Sequence, residues 1–390
     1  MFSVPQEDEF QYELNWAKKY HVDVVEDFSY RDCIPPFVFQ NFARRAQRIA
    51  KWIKAVRSAD IIVEMSAISY TGPPIGSTLS VLLSGRLRYL LAAQFLNRKL
   101  FAWTQSYGPL STALIRLLSK WDLGKQPAVF CRGGISQKNV SQLLPHKKTY
   151  SFPDVATILE FDKEWGRRYV QNIFSADLDF NKLITISPSA VIFARTKNKN
   201  RETTHVNHIL YLCHYLFKKG YTILLVPHTF RPQRHYPEIC DYAVSEIILN
   251  KLHSHKSRAK LQIVRDDLSP VQLKSIISTA AVHVGARYHS LIASLSSEVP
   301  SVCLSWHHKY ADLMTQYKMQ EYVFHETELV QPARLIPMFD SIIENKEKIK
   351  EKLNKEQKKI RLQIEHNTKL FVDLIKRYHI DSHTREKKGI

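Results

Sequence analysis

Residues 282–309 read V-H-V-G-A-R-Y-H-S-L-I-A-S-L-S-S-E-V-P-S-V-C-L-S-W-H-H-K. An apolar run ends in Gly285, and Arg287 and His289 follow two residues apart, where a helix is expected to begin. Pro300 closes that helix, Val302–Leu304 reads as a second apolar strand, and a basic loop ends in Lys309. Strand, turn, helix and strand in this order form one βα repeat of a parallel sheet. The first turn of a helix offers free backbone N–H groups to an anion. An arginine there adds a planar fork that matches phosphate or carboxylate, and a histidine can release a proton near neutral pH. The segment therefore predicts an anion grip beside an acid catalyst.

The pattern extends in both directions. Toward the N-terminus, Asp60–Val63, Lys99–Thr104 and Ala128–Cys131 read as strands, with helices expected over 79–96 and 111–120. Further on, strands are expected over 183–187, 221–226 and 261–264, and helices over 206–218 and 238–252. Gly220 is placed as a helix C-cap, and Ser269-Pro270 as an N-cap followed by a first-turn proline. The fold class is thus α/β. Residues 1–157 form a first Rossmann-like domain, 158–182 a helical bridge, 183–335 a second Rossmann-like domain, and 336–390 a basic helix and tail. This GT-B-like twin-Rossmann architecture places ligands beyond the carboxyl ends of the strands, in an interdomain cleft.

Composition excludes several classes. With 44% hydrophobic and 11% aromatic residues, the 390-residue chain is globular and long enough for two cores. The five cysteines, Cys33, Cys131, Cys213, Cys240 and Cys303, lie far apart with no C-x-x-C pair, so neither a zinc knuckle nor a disulfide framework is indicated. The N-terminus lacks a signal-peptide pattern and no run of eighteen apolar residues occurs, so a cytoplasmic location is expected. The net charge of +19 favours anionic partners. Much of it alternates with glutamate along the last helix, as on a solvated helix face, with peripheral attraction to an anionic membrane as its further use.

Polar residues gather after the strands. They are Gln105-Ser-Tyr-Gly-Pro, Arg132-Gly-Gly-Ile-Ser136, Pro188-Ser-Ala with Arg195 beyond, Pro227-His228-Thr-Phe-Arg, and the Arg287/His289 turn. Several cations at strand ends suit a small, multiply charged anion. Together with Pro153-Asp154, Pro300 and Lys309, their order and spacing resemble the polysaccharide pyruvyl transferase family over roughly residues 58–315. The Arg-x-His block is the most specific element. The resemblance implies transfer of the enolpyruvyl group of phosphoenolpyruvate to a sugar of a cell-surface polymer such as an exopolysaccharide, leaving a pyruvate ketal and phosphate.

On that resemblance Arg287 and Arg195 hold phosphate and carboxylate, joined by Ser290, Lys309 and Arg132. His289 is the expected general acid, its ordinary pKa of about 6.5 suiting the task. His228 is the second candidate, as base for the acceptor hydroxyl or as an anion contact. Gln105, Glu64, Ser66 and Tyr70 are candidate contacts to the acceptor, a sugar or lipid-linked oligosaccharide. No metal or cofactor is required beyond phosphoenolpyruvate as donor substrate. The sequence departs from the family at the start, where the usual short strand and Asn-x-Gly-Asp loop are not found, and at 60–74, where Glu64 and Ser66 stand in an altered loop. Two alternatives remain open. A glycosyltransferase using a nucleotide sugar would want an acidic residue for its ribose or base, and Glu298 comes too late in its helix. A non-catalytic binder of anionic glycans or nucleic acid would show basic residues interleaved with exposed aromatics, which is not the pattern here, so no nucleic-acid partner is expected.

Overall fold

The computed structural model describes residues 42–64, 68–69, 93–96, 100–110, 112–196, 204–230, 236–252, 260–325 and 332–387. The chain divides into two compact units, one of residues 1–152 with 367–390 and one of residues 153–366.

The first unit opens with helix α1 (Phe42–Ser58), followed by the short strands β1 (Ile62–Glu64), β2 (Ile68–Ser69), β3 (Leu100–Ala102) and β4 (Ser106–Tyr107). Helix α2 (Ala113–Lys125), β5 (Val129–Arg132), α3 (Gly134–Leu143) and β6 (Thr149–Phe152) follow among the described residues. β1 pairs with β3, β2 with β4 and β5 with β6, all parallel, and a bridge from Gln105 to Cys131 links the last two groups. Leu100, Tyr107, Ile115, Leu123, Val129 and Val140 fill the core between strands and helices. Of the helix expected over 79–96, only 93–96 lies among the described residues, and it is helical.

The second unit holds helices α4 (Lys163–Ile173), α5 (Ala190–Thr196), α6 (Thr204–Lys218), α7 (Asp241–Lys251), α8 (Pro270–Ile277), α9 (Tyr288–Ser296), α10 (His308–Gln316) and α11 (Leu335–Glu344). Its strands are β7 (Leu183–Ser187), β8 (Thr222–Leu225), β9 (Leu261–Ile263), β10 (Val282–Gly285), β11 (Ser301–Ser305) and β12 (Val323–His325). They form one sheet in the order β12-β11-β10-β7-β8-β9, every pair parallel. β7, β10 and β11 are buried along their whole length, which explains why they read as unbroken apolar runs rather than alternating ones. The order steps outward from β7 to β9 on one side and from β10 to β12 on the other. The strand order thus reverses between β7 and β10, and ligands of such sheets bind beyond the carboxyl ends at that reversal.

Local signals account for several boundaries. Gly220 takes φ 83° ahead of β8, and Ser269 with Gln272 forms a reciprocal capping box at the start of α8. The segment 158–182 contains α4 between two short 3-10 turns and lies in the second unit. Lys309, expected at the end of a loop, instead stands in the first turn of α10. α4 packs on α8 through Gly166, where an added Cβ would fall 2.2 Å from the Ser275 carbonyl oxygen. Gly166→Ala is therefore expected to destabilise the second unit by about 1–3 kcal/mol, read as a lower urea midpoint at constant slope.

The chain ends in α12 (Lys346–Lys387). Ile349, Leu353, Ile360, Ile364 and Phe371 form its buried stripe, and the exposed pair Lys350–Glu347 at 3.0 Å is of the kind expected on a solvated face. Glu356 instead is buried beside the stripe, where it meets Lys359 at 2.8 Å and Lys318 at 3.1 Å.

Candidate functional site

Four loops at the carboxyl end of the second sheet carry the candidate residues of this unit: those after β7, β8, β10 and β11. Arg287 is the N-cap residue of α9, directly after β10. Its Nε donates to both carboxylate oxygens of Asp241, at 2.9 and 2.7 Å, and its Nη2 also meets Asp241 Oδ1. Asp241 is fully buried in the first turn of α7, and accepts two backbone N–H bonds as well, from Ala190 at 2.8 Å and Thr229 at 2.9 Å. One carboxylate thus ties together the turns after β7, β8 and β10. The fork edge formed by Nε and Nη2, expected to face a phosphate, is occupied by Asp241, and 20% of the Arg287 side chain is exposed.

Buried histidines brace the same turns. His283 lies between Thr185 Oγ1 (2.9 Å) and Ser290 Oγ (3.1 Å), and Ser290 donates to the Arg287 carbonyl at 2.8 Å. Ser290, expected on the substrate, is fully buried and holds the Arg-x-His turn in shape. His205 accepts the Ser189 N–H at 3.1 Å. Burial pushes His205 and His283 down to about 3 and His208 to about 4. Because these folded values lie below the ordinary 6.5, the unfolded chain takes up protons first as pH falls. Stability of this unit is expected to be full near neutrality and to fall below pH 6.5, each histidine removing about 1 kcal/mol per pH unit toward pH 4. Urea unfolding at neutral and mildly acid pH measures this, and His205→Gln should reduce the slope by one proton.

The rim carries the titratable groups a ligand would meet. His228 follows β8; its Nδ1 lies 3.3 Å from the Val226 carbonyl and 3.4 Å from Ser187 Oγ. A carbonyl only accepts, so Nδ1 carries the proton and Nε2 is left as an acceptor. Burial lowers His228 to about 4; Asp241 and the Val226 bond oppose the shift, while His289 and Arg287 add to it. It is therefore neutral near pH 7, which suits a base or acceptor rather than an acid. His289 is the exposed member, at 57%, with Nε2 3.9 Å from the buried Asp154 carboxylate, a counter-ion for its imidazolium form. Beside them Lys309, 8% exposed, has Nζ 4.9 Å from the Tyr288 ring, 5.5 Å from Trp306 and 5.6 Å from Tyr310. Arg195 stands over the same indole, 4.7 Å from the Trp306 ring. Trp306 donates to the Tyr310 hydroxyl at 2.9 Å, and Tyr310 to the Ala286 carbonyl at 3.2 Å, anchoring the aromatic group to the β10 turn.

The other expected residues belong to the first unit. Gln105 is buried and donates from Nε2 to the Glu64 carbonyl at 2.9 Å. Arg132, expected among the donor-holding cations, donates from Nε to the Thr104 carbonyl at 3.0 Å. Both knit strand-end loops through backbone carbonyls. Ser66 and Tyr70 lie outside the described residues.

Asp241 was not singled out from sequence, since an aspartate opening a helix reads as an ordinary cap, and its partner lies 46 residues away. Asp154 gave a sharper signal, standing in the Pro-Asp pair of the motif set. No cluster of three His, Cys, Asp or Glu able to hold a metal ion occurs among the described residues, and no helix there is long and apolar enough to cross a membrane.

The sequence model of the family described as polysaccharide pyruvyl transferase matches residues 8–308. Among solved structures, a UDP-forming α,α-trehalose-phosphate synthase from Burkholderia xenovorans aligns at TM-score 0.51 and 10% identity, covering 89% of this chain and 81% of its own. The UDP-GlcNAc 2-epimerase of Methanocaldococcus jannaschii, in complex with UDP-GlcNAc and UDP, aligns at TM-score 0.50 and 10% identity over 82% and 79%. Likenesses at this identity show the fold, the twin Rossmann-like arrangement of GT-B proteins.

Proposed function

Because the chain belongs to the polysaccharide pyruvyl transferase family, we propose that it moves the pyruvyl group of phosphoenolpyruvate onto a saccharide as a ketal and releases phosphate. The observation that carries the reading is the gathering of Arg287, His289 and His228 at the reversal between β7 and β10, with Lys309 and Arg195 over a shared indole beside them. The donor carries a phosphate and a carboxylate on one small carbon frame and calls for several cations at close range.

His289, backed by Asp154, gives a proton to the donor's methylene carbon, which becomes a methyl group. Positive charge develops at the adjacent carbon, and a first sugar hydroxyl bonds there. A second hydroxyl then forms the other C–O bond as the C–O bond to phosphate breaks. The two hydroxyl protons leave with phosphate and by returning to the acid. Neutral His228, with Nε2 open as an acceptor, takes one of these hydroxyl protons during attack and passes it to the departing phosphate. Arg287, held rigid by Asp241, directs its remaining N–H edge at the donor, and Lys309 and Arg195 complete the cationic wall. The acceptor is a sugar of a cell-surface polysaccharide or its lipid-linked precursor, modified in the cytoplasm.

Phosphate release from phosphoenolpyruvate that depends on added saccharide tests the reading. Uptake of UDP, with no response to phosphoenolpyruvate, would replace it with nucleotide-sugar transfer.

A further inference from the structure

Helix α2 has a face that its own unit leaves uncovered. Ile115, Ser119, Asp122 and Leu123 point into the core, and Asp122 is fully buried and bonded by Gln126. On the outer side Leu117 and Trp121, one helical turn apart, are 64% and 37% exposed. Arg116, Lys120 and Lys125 are exposed beside them, and Lys125 Nζ lies 3.6 Å over the Trp121 ring. The loop before β6 adds more cations: Lys147 donates to the Gly124 carbonyl at 2.7 Å, fastening the loop to the end of α2, and Lys148 follows, exposed. The helix's single acid is turned inward, so the outer face is cationic with an apolar centre.

We propose that this face of α2 is a docking surface for an anionic lipid bilayer, with Leu117 and Trp121 entering the interface and Arg116, Lys120, Lys125, Lys147 and Lys148 meeting headgroups. An isolated exposed leucine needs no explanation. Here leucine and tryptophan share one face of a helix, ringed by cations, with no acid on that face. This is the composition of a helix lying in a membrane interface. A soluble polyanion would be held by the cations and would gain nothing from Leu117 and Trp121. A neutral surface would gain nothing from the cations. An anionic bilayer uses both, and the net charge of +19 attracts the whole protein to it. Two apolar side chains give reversible rather than permanent attachment.

Co-sedimentation of the full-length protein with phosphatidylcholine vesicles, with and without phosphatidylglycerol, tests this at low and high salt. Binding is expected only with the anionic lipid and to weaken with salt. Lys120→Gln with Lys125→Gln should weaken partitioning about five-fold per charge, and Leu117→Ser with Trp121→Ser about ten-fold or more. Lys355→Gln with Lys358→Gln, an equal loss of charge on α12, should change it least. All are exposed positions, and circular dichroism checks that each variant is folded. The proposal is overturned if the Leu117/Trp121 variant binds anionic vesicles like the wild type. It is also overturned if the α12 variant loses as much as the α2 variant, or if the same residues control dimerisation without lipid. Binding is read without turnover, so failure of the pyruvyl transfer reading and failure of this one are separately visible.

Discussion

Replacing Asp241 by alanine is expected to lower the stability of the second unit by about 3–5 kcal/mol. The carboxylate is wholly buried and accepts from Arg287 Nε and Nη2 and from the backbone of Ala190 and Thr229. Removing it leaves a guanidinium, four-fifths buried, without its counter-charge and two N–H groups without acceptors. Arg287→Ala creates the mirror-image defect, a buried carboxylate without its cation, and should cost a similar amount. The double variant Asp241→Ala/Arg287→Ala should therefore be less destabilised than the sum of the two, a coupling of about 1–3 kcal/mol in a double-mutant cycle. Urea unfolding of the four proteins measures it, and additive losses would show that the pair is not a unit. Loss of ligand binding in Arg287→Ala alone therefore cannot be separated from loss of the fold. Arg287→Lys keeps the charge toward Asp241 while removing the fork, and is the informative variant for the ligand.

The second large effect is expected on turnover. His289→Gln should reduce kcat by about 10²–10⁴-fold, the range of a lost general acid. The side chain is 57% exposed and its polar contact to Asp154 is long, so the same change should leave stability within about 0.5 kcal/mol. A large drop in kcat with an unchanged unfolding midpoint separates this residue from Ser290 and His283, whose bonds hold the turn. Asp154→Asn removes the counter-ion but leaves the imidazole, so it should lower kcat less than His289→Gln. If His289→Gln turns over like the wild type, the acid is another group.

Much of the second unit was legible because its signals are local. β7, β8, β10 and β11 are short apolar runs, Gly220 marks the turn before β8, and Ser269-Pro270 starts α8 with a capping box. The site was legible as a set of residue types at strand ends, and less so as a set of roles. Arg287 looked like a free fork because nothing near it in sequence predicts that Asp241, at the start of another helix, fills one edge of it. Gln105 stands in a loop between strands and Arg132 at the last position of β5, where a side chain that bonds a neighbouring carbonyl and one that meets a ligand look alike. Ser290, one residue past His289, is buried while His289 is exposed, because successive positions on a helix point about 100° apart. The first unit's strands are two to four residues long, too short to show periodicity, and only their order could be read.

The central claim is that this constellation binds phosphoenolpyruvate as donor. Calorimetric titration of the wild type and Arg287→Lys with phosphoenolpyruvate, inorganic phosphate and UDP tests it most directly. The account predicts that phosphoenolpyruvate binds the wild type more tightly than phosphate does. It also predicts that this advantage shrinks in an Arg287→Lys protein that remains folded. Binding of UDP with no heat from phosphoenolpyruvate would contradict it.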